Sequence, residues 1–172
     1  MYDIIFTNPN NIVLTLTLIM PLIGAIFIFL LRSESLIKCI ALTTTLATFF
    51  VSLPIYRYFN KATHEMQFVE NYQWIPKWSI NYKVGVDGFS ILFLFLVTIL
   101  SILCVSVSWK SIQHKIKTFF VSLLILESAM IGIFISLDVF LFYLFWELTL
   151  IPMFLLIGIW GGPKRIYSAV KF

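Results

Sequence analysis

Charge is scarce in this chain. Asp, Glu, Lys and Arg make up 12% of its 172 residues, where a soluble domain carries about a quarter. That excludes an ordinary soluble enzyme. The net charge of +4 does not point to nucleic acid either, because the basic residues fall in ones to threes between apolar runs instead of collecting on one polar face. Cysteine is nearly absent: Cys39 and Cys104 both fall inside apolar runs, which argues against a disulfide and for two inert thiols packed as small hydrophobes. The two histidines, His64 and His114, lie in polar intervals, so no intramembrane pair could hold a haem. No CxxC, HExxH, GxGxxG or P-loop string occurs, which leaves soluble-type metal, nucleotide and nucleophilic chemistry without a foothold. The opening "MYDIIFTNPN" carries Asp3 and no basic residue, unlike a signal peptide. Gly, Ala and Arg are few against Ile, Phe and Lys, the bias that an organelle genome or an AT-rich bacterium would produce.

What the chain has instead is apolar length, with 60% hydrophobic residues. Runs of ~20 apolar residues are long enough to cross a bilayer as helices. They predict spans at 12–31, 36–56, 89–109, 118–136 and 139–160, with "SAVKF" beginning a sixth. The expected fold class is all-α: a polytopic transmembrane helix bundle of five complete spans plus the start of a sixth, forming one membrane domain over 1–172. Pro21 and Pro54 are tolerated within spans because neighbours can satisfy the carbonyls they free. The interval 57–88 has charges of both signs and Pro76, which predicts an external surface loop with a short hairpin, "FVENYQW" against "WSINYKV".

Seven basic residues (Arg32, Lys38, Lys110, Lys115, Lys117, Lys164 and Arg165) fall on one side of this arrangement. The other side has the N-terminus with none, the loop 57–88 with four balanced by three acids, and the turn at Asp138 with none. Because inward loops are enriched in Lys and Arg, the N-terminus is expected outside and the basic connections in the matrix or cytoplasm. Trp74, Trp78, Trp109 and Trp160 suit the interfacial aromatic belt.

Glu127 interrupts the fourth span and Glu147 the fifth. With the turn centred on residue 137, each glutamate is ten residues from it, about 15 Å into the membrane at ~1.5 Å per residue. Equal depth permits contact without fixing the helix rotation that would bring the two together. Holding a charge there costs at least ~2.5 kcal/mol, so such acids face the protein interior or a hydrated cavity and are candidates for proton exchange. Pro152 is expected to free the carbonyl of Leu148, beside Glu147, as an anchor for water. Ser128, Gly132 and Ser136 form a small-residue row for close helix approach. Asp87 and Asp138 read as caps or turn residues, and the stripe Phe142, Tyr143, Phe145, Trp146 reads as packing.

The strings "GVDGFS" (85–90), FWE-x-x-x-IPM and IGIWGG within 145–162, and "LESAMIGIF" (126–134) resemble the subunit 4 family of proton-pumping NADH:quinone oxidoreductase, respiratory complex I. Related cation/proton antiporter subunits match "IPMFLLIGIWGG" less well. The resemblance implies a subunit of about fourteen helices with no redox cofactor and a proton path through buried glutamates and lysines. It assigns Glu147 to the family's proton-channel glutamate and Glu127, less securely, to an acid found in many relatives. The family's partner lysines fall on helices beyond residue 172, and Lys171 is not one by position. The chain is then expected to be the N-terminal portion of such a subunit in the mitochondrial inner membrane, or alternatively a bacterial plasma membrane. It would contribute to NADH:ubiquinone reductase activity without a redox site, cofactor or metal of its own. Its expected partners are the lipid bilayer, the other membrane-arm subunits and a second chain supplying the remaining helices, with no nucleic acid. A cation/proton antiporter subunit and a non-transporting structural or assembly fragment are the competing readings.

Overall fold

The computed structural model describes residues 12–63, 65–78 and 80–172, with the side chain of Trp78 outside the description. Asp3, His64 and the placement of the N-terminus therefore lie outside the described residues. Helix α1 covers Val13–Leu30, α2 Glu34–Tyr58, α3 Gly88–Ser111, α4 Ile116–Ile135, α5 Val139–Trp160 and α6 Arg165–Lys171. The first five are long and apolar enough to cross a membrane. Each begins or ends within a few residues of an apolar run in the sequence, because the polar interruptions hold the caps. Asp87 accepts the Ser90 N–H at 2.6 Å, and Asp138 accepts those of Phe140 and Leu141. Both supply partners for the otherwise unpaired amides that open a helix.

Between α2 and α3 the chain forms an antiparallel hairpin, β1 (Gln67–Ile75) and β2 (Ile80–Val86), joined through a 3-10 turn at Pro76–Trp78. Its pairing runs Tyr72 opposite Tyr82 and Glu70 opposite Val84. Three residues separate Gln67 from Glu70 where two separate Val86 from Val84, so β1 carries a bulge; Phe68 sits there at φ 53°, a conformation uncommon for a bulky residue. The Leu137 N–H donates to the Lys83 carbonyl at 2.9 Å, and Val84 bridges to Ser136, which ties β2 to the turn between α4 and α5. Gly85 allows that approach, since a Cβ there would lie 2.7 Å from Leu137 Cδ1.

The helices alternate in direction, and side chains tie the connections at the end opposite the hairpin. Lys38 donates to the Trp109 carbonyl at 2.7 Å, Lys117 to that of Phe29 at 2.8 Å, and the Trp160 indole to that of His114 at 3.1 Å. Two of these place a cation on carbonyls in a helix's last turn, where the backbone dipoles favour positive charge. The seven basic residues counted above thus share one end of the bundle.

The core is α4. Eleven of its residues are buried, among α1, α2, α3 and α5. The small-residue row serves three neighbours and not the single helix expected. Ser128 Oγ donates to the Leu18 carbonyl of α1 at 2.7 Å, Gly132 takes the Phe145 ring of α5 so closely that a Cβ would sit 2.4 Å from it, and Ser136 meets β2. Both cysteines are free and exposed, facing outward along α2 and α3 instead of packing inside. Of the aromatic stripe, Phe145 is buried while Tyr143 and Trp146 are exposed, so only part of it packs within this chain.

Candidate functional site

The two intramembrane carboxyls occupy opposite settings. Glu127, on α4, is 2% exposed, and neither of its oxygens has a hydrogen-bond partner. The Ser101 hydroxyl of α3 bears on it without closing a bond, its own proton going to the Val97 carbonyl at 2.9 Å. Glu147, on α5, is exposed, on a face shared with Tyr143, Leu150, Ile151 and Phe154. Equal depth therefore does not bring the two side chains together: α4 turns its acid inward, and α5 turns its acid away from the bundle.

The rest of α5 explains the difference. Only Leu141, Phe145 and Pro152 are buried, and the first two join the cluster that contains Ile131 and Ile135 of α4 and Val84 and Val86 of the hairpin. Pro152 lies within a continuous helix, one turn and a residue beyond Glu147 and on the inner side. Because Pro lacks an N–H, the Leu148 carbonyl loses its usual helical donor just beside Glu147.

Among the described residues no Lys or Arg stands at the depth of either acid. Every described Lys and Arg is exposed or only partly buried, and all lie at helix ends, in the hairpin or in connections. Among the described residues no cluster of His, Cys, Asp and Glu could hold a metal ion.

A third acid was not singled out from the sequence. Glu70, expected on a surface loop, is 1% exposed. Its Oε1 accepts the Leu14 and Thr15 N–H groups at 2.9 and 3.3 Å, and its Oε2 accepts the Thr15 hydroxyl, which also meets Tyr82 Oη at 2.8 Å. The hairpin thereby caps α1, whose own cap residue, Ile12, has no side-chain oxygen to offer. Burial pushes the Glu70 carboxyl above its ordinary value, although the Thr15 and Leu14 donors oppose this. The same burial raises Tyr82. Asp87 is held below its usual range by the Ser90 N–H. The bulge at Phe68 is what turns Glu70 inward, and no alternation in the sequence shows it.

Comparison with known proteins places this arrangement. Residues 136–172, from the end of α4 through α6, match the family model described as NADH:quinone oxidoreductase/Mrp antiporter, TM. Over 135 residues the chain is 50% identical to NADH-quinone oxidoreductase subunit M of Rhodobacter capsulatus, covering 78% of this chain and 26% of the relative. Over 162 residues it is 41% identical to NADH-ubiquinone oxidoreductase chain 4 of Chondrus crispus, covering 92% and 33%. The chain is homologous to subunit M and chain 4 of these oxidoreductases. It spans between a quarter and a third of the length of the relatives it matches. Respiratory complex I from Thermus thermophilus contains the same fold, with a TM-score of 0.74 at 21% identity over 91% of this chain and 31% of that one.

Proposed function

We propose that this chain is a portion of the antiporter-like, proton-translocating subunit of a respiratory complex I, in which Glu147 carries the proton and Glu127 is a second proton-handling carboxyl. The observation that carries the reading is the position of Glu147: mid-helix on an apolar outer face, with no Lys or Arg among the described residues at its depth. Lipid is a poor neighbour for such a group, because intramembrane acids face protein or water. The face is therefore covered in the working assembly by helices outside residues 1–172, and a lysine among them supplies the charge that switches proton affinity. The carbonyl freed by Pro152 holds water beside Glu147. The homology to subunit M and chain 4 supports the same assignment.

On this reading electron transfer from NADH to quinone happens in other subunits, and this chain binds no redox cofactor. Its partners are neighbouring membrane-arm subunits and the bilayer. The AT-rich residue bias fits an organelle genome and so the mitochondrial inner membrane, with the basic connections in the matrix; an AT-rich bacterium would carry the same bias, with the plasma membrane as the alternative. The test is Glu147→Gln in the assembled complex, comparing NADH oxidation by an artificial acceptor with proton translocation in the same membranes. The amide keeps the volume and removes the titrating group. Electron input persists and translocation falls at least tenfold; unchanged translocation in an assembled variant contradicts the assignment.

The family model's description also covers Mrp antiporters, which keeps a cation/proton exchanger as the second reading. Transport that follows a Na⁺ or K⁺ gradient and ignores NADH and quinone would select it.

A further inference from the structure

The interior of α1–α4 divides into two apolar clusters. Leu18, Ile55, Leu94 and Ile131 belong to the one at the hairpin end. Ala25, Ala41, Val105 and Leu124 belong to the one at the basic end. Between these positions the enclosed residues include polar ones beside Val97 and Ala129: Thr45 and Thr48 on α2, Thr98 on α3, Glu127 and Ser128 on α4, with the half-buried Ser101 on α3. A polar layer thus crosses the bundle at mid-depth, on the side of α4 away from the exposed face that carries Glu147.

The hydroxyls of this layer share one orientation. Thr45, Thr48, Thr98 and Ser101 each donate to a carbonyl of their own helix, and Ser128 donates to Leu18 of α1. The Ser101 proton goes to Val97, so what Ser101 offers to Glu127 is an oxygen lone pair. An ionised carboxylate can only accept. It would meet that lone pair at 2% exposure with no donor and no cation beside it among the described residues, an arrangement in which nothing offsets the loss of water. A carboxyl bearing its proton is the complementary group, since its O–H supplies the donor the layer lacks. One water between Glu127 and Ser101 satisfies the remainder, accepting from the carboxyl O–H and donating to the serine oxygen.

We propose that Glu127, with Ser101, forms a water-binding proton site enclosed within α1–α4 and separate from the Glu147 face. Exchange is a simple transfer: the O–H bond of the carboxyl breaks as an O–H bond forms on the water, and the reverse step restores it. The inference rests on the reading of Glu127 as a proton-handling group and adds its partner, a bound water.

Infrared difference spectra of the intact complex, wild type minus variant, in H2O and D2O test it. Glu127→Gln removes a carboxyl C=O band that moves to lower frequency in D2O, whereas Glu147→Gln leaves that band in place. Ser101→Ala, which leaves the carboxyl itself intact, shifts the band's frequency. A Glu127→Gln difference with no such band shows that Glu127 holds no proton, and a band unmoved by D2O shows a dry structural carboxyl; either overturns the proposal. The outcome is independent of Glu147: loss of translocation in Glu147→Gln together with a failed band leaves the assignment of Glu147 standing and removes Glu127 from the proton-handling groups.

Discussion

Helices α4 and α5 lie side by side, are joined by a three-residue turn and each carry one glutamate near mid-depth, yet they keep different company. Around Glu127 the chain supplies walls from α3 and α4 itself, with hydroxyls spaced among apolar side chains. Around Glu147 it supplies only one side of the site, and Tyr143, Ile151 and Phe154 project outward with the acid. The lesson is that intramembrane depth alone does not make two acids equivalent. A buried, unpartnered carboxyl is settled by what surrounds it, whereas one on an apolar outer face requires a surface from elsewhere.

The largest effect on this comparison comes from the seam between the two helices. Gly132→Leu drives a side chain into the Phe145 ring, where even a Cβ would lie at 2.4 Å; overpacking of this kind costs about 1–3 kcal/mol or more. We expect loss of the assembled subunit from membranes, read by immunoblot of the purified complex, and normal assembly would show that α5 can swing away from α4 freely.

Next in size is the hairpin lock that fixes the outer ends of α1, α4 and α5. Glu70→Ala strands the Leu14 and Thr15 amides, at about 1–3 kcal/mol. Hydrogen exchange at those two amides should rise by at least tenfold, while Glu70→Gln, which keeps an acceptor oxygen, gives a smaller rise. The lock also has a pH dependence. Because burial raises the docked carboxyl above the ordinary glutamate value of 4.5, the docked state binds the proton more tightly than the released one. Its stability is full below the ordinary value and declines as pH climbs through the raised one. Glu70→Gln should abolish that slope, and an unchanged slope would assign it to another group.

Smaller still is Asp138→Ala at the start of α5, which removes a cap worth about 1 kcal/mol. It should lower thermal stability slightly and reduce translocation less than Glu147→Gln does. A drop as large as that of Glu147→Gln would place Asp138 on the proton route.

How much of this was legible in the sequence differs between the two helices for a physical reason. The spans follow from bilayer thickness, and the hairpin and both aspartate caps follow from local chemistry. The inward side of α4 is also marked, because Glu127, Ser128 and Gly132 gather there. In α5 nearly every residue is large and apolar, so its pattern has no polar face from which rotation could be read, and the outward aim of Glu147 emerges only from Gly132 receiving Phe145. Glu70 escaped notice because the bulge beside Phe68 reverses the facing that strict alternation would give. The family strings in 145–162 pointed to Glu147 but carried no information about what covers it.

The central claim is that the Glu147 face of α5 is a protein interface. The most direct test places a photoreactive side chain at Ile151, which is 63% exposed and one turn from Glu147, in the native membrane assembly. On irradiation, mass spectrometry of the products should find Ile151 joined to a polypeptide segment outside residues 1–172 that carries a lysine within a membrane span. Products joined only to lipid would contradict the account, because Glu147 would then face the bilayer with no partner to switch its proton.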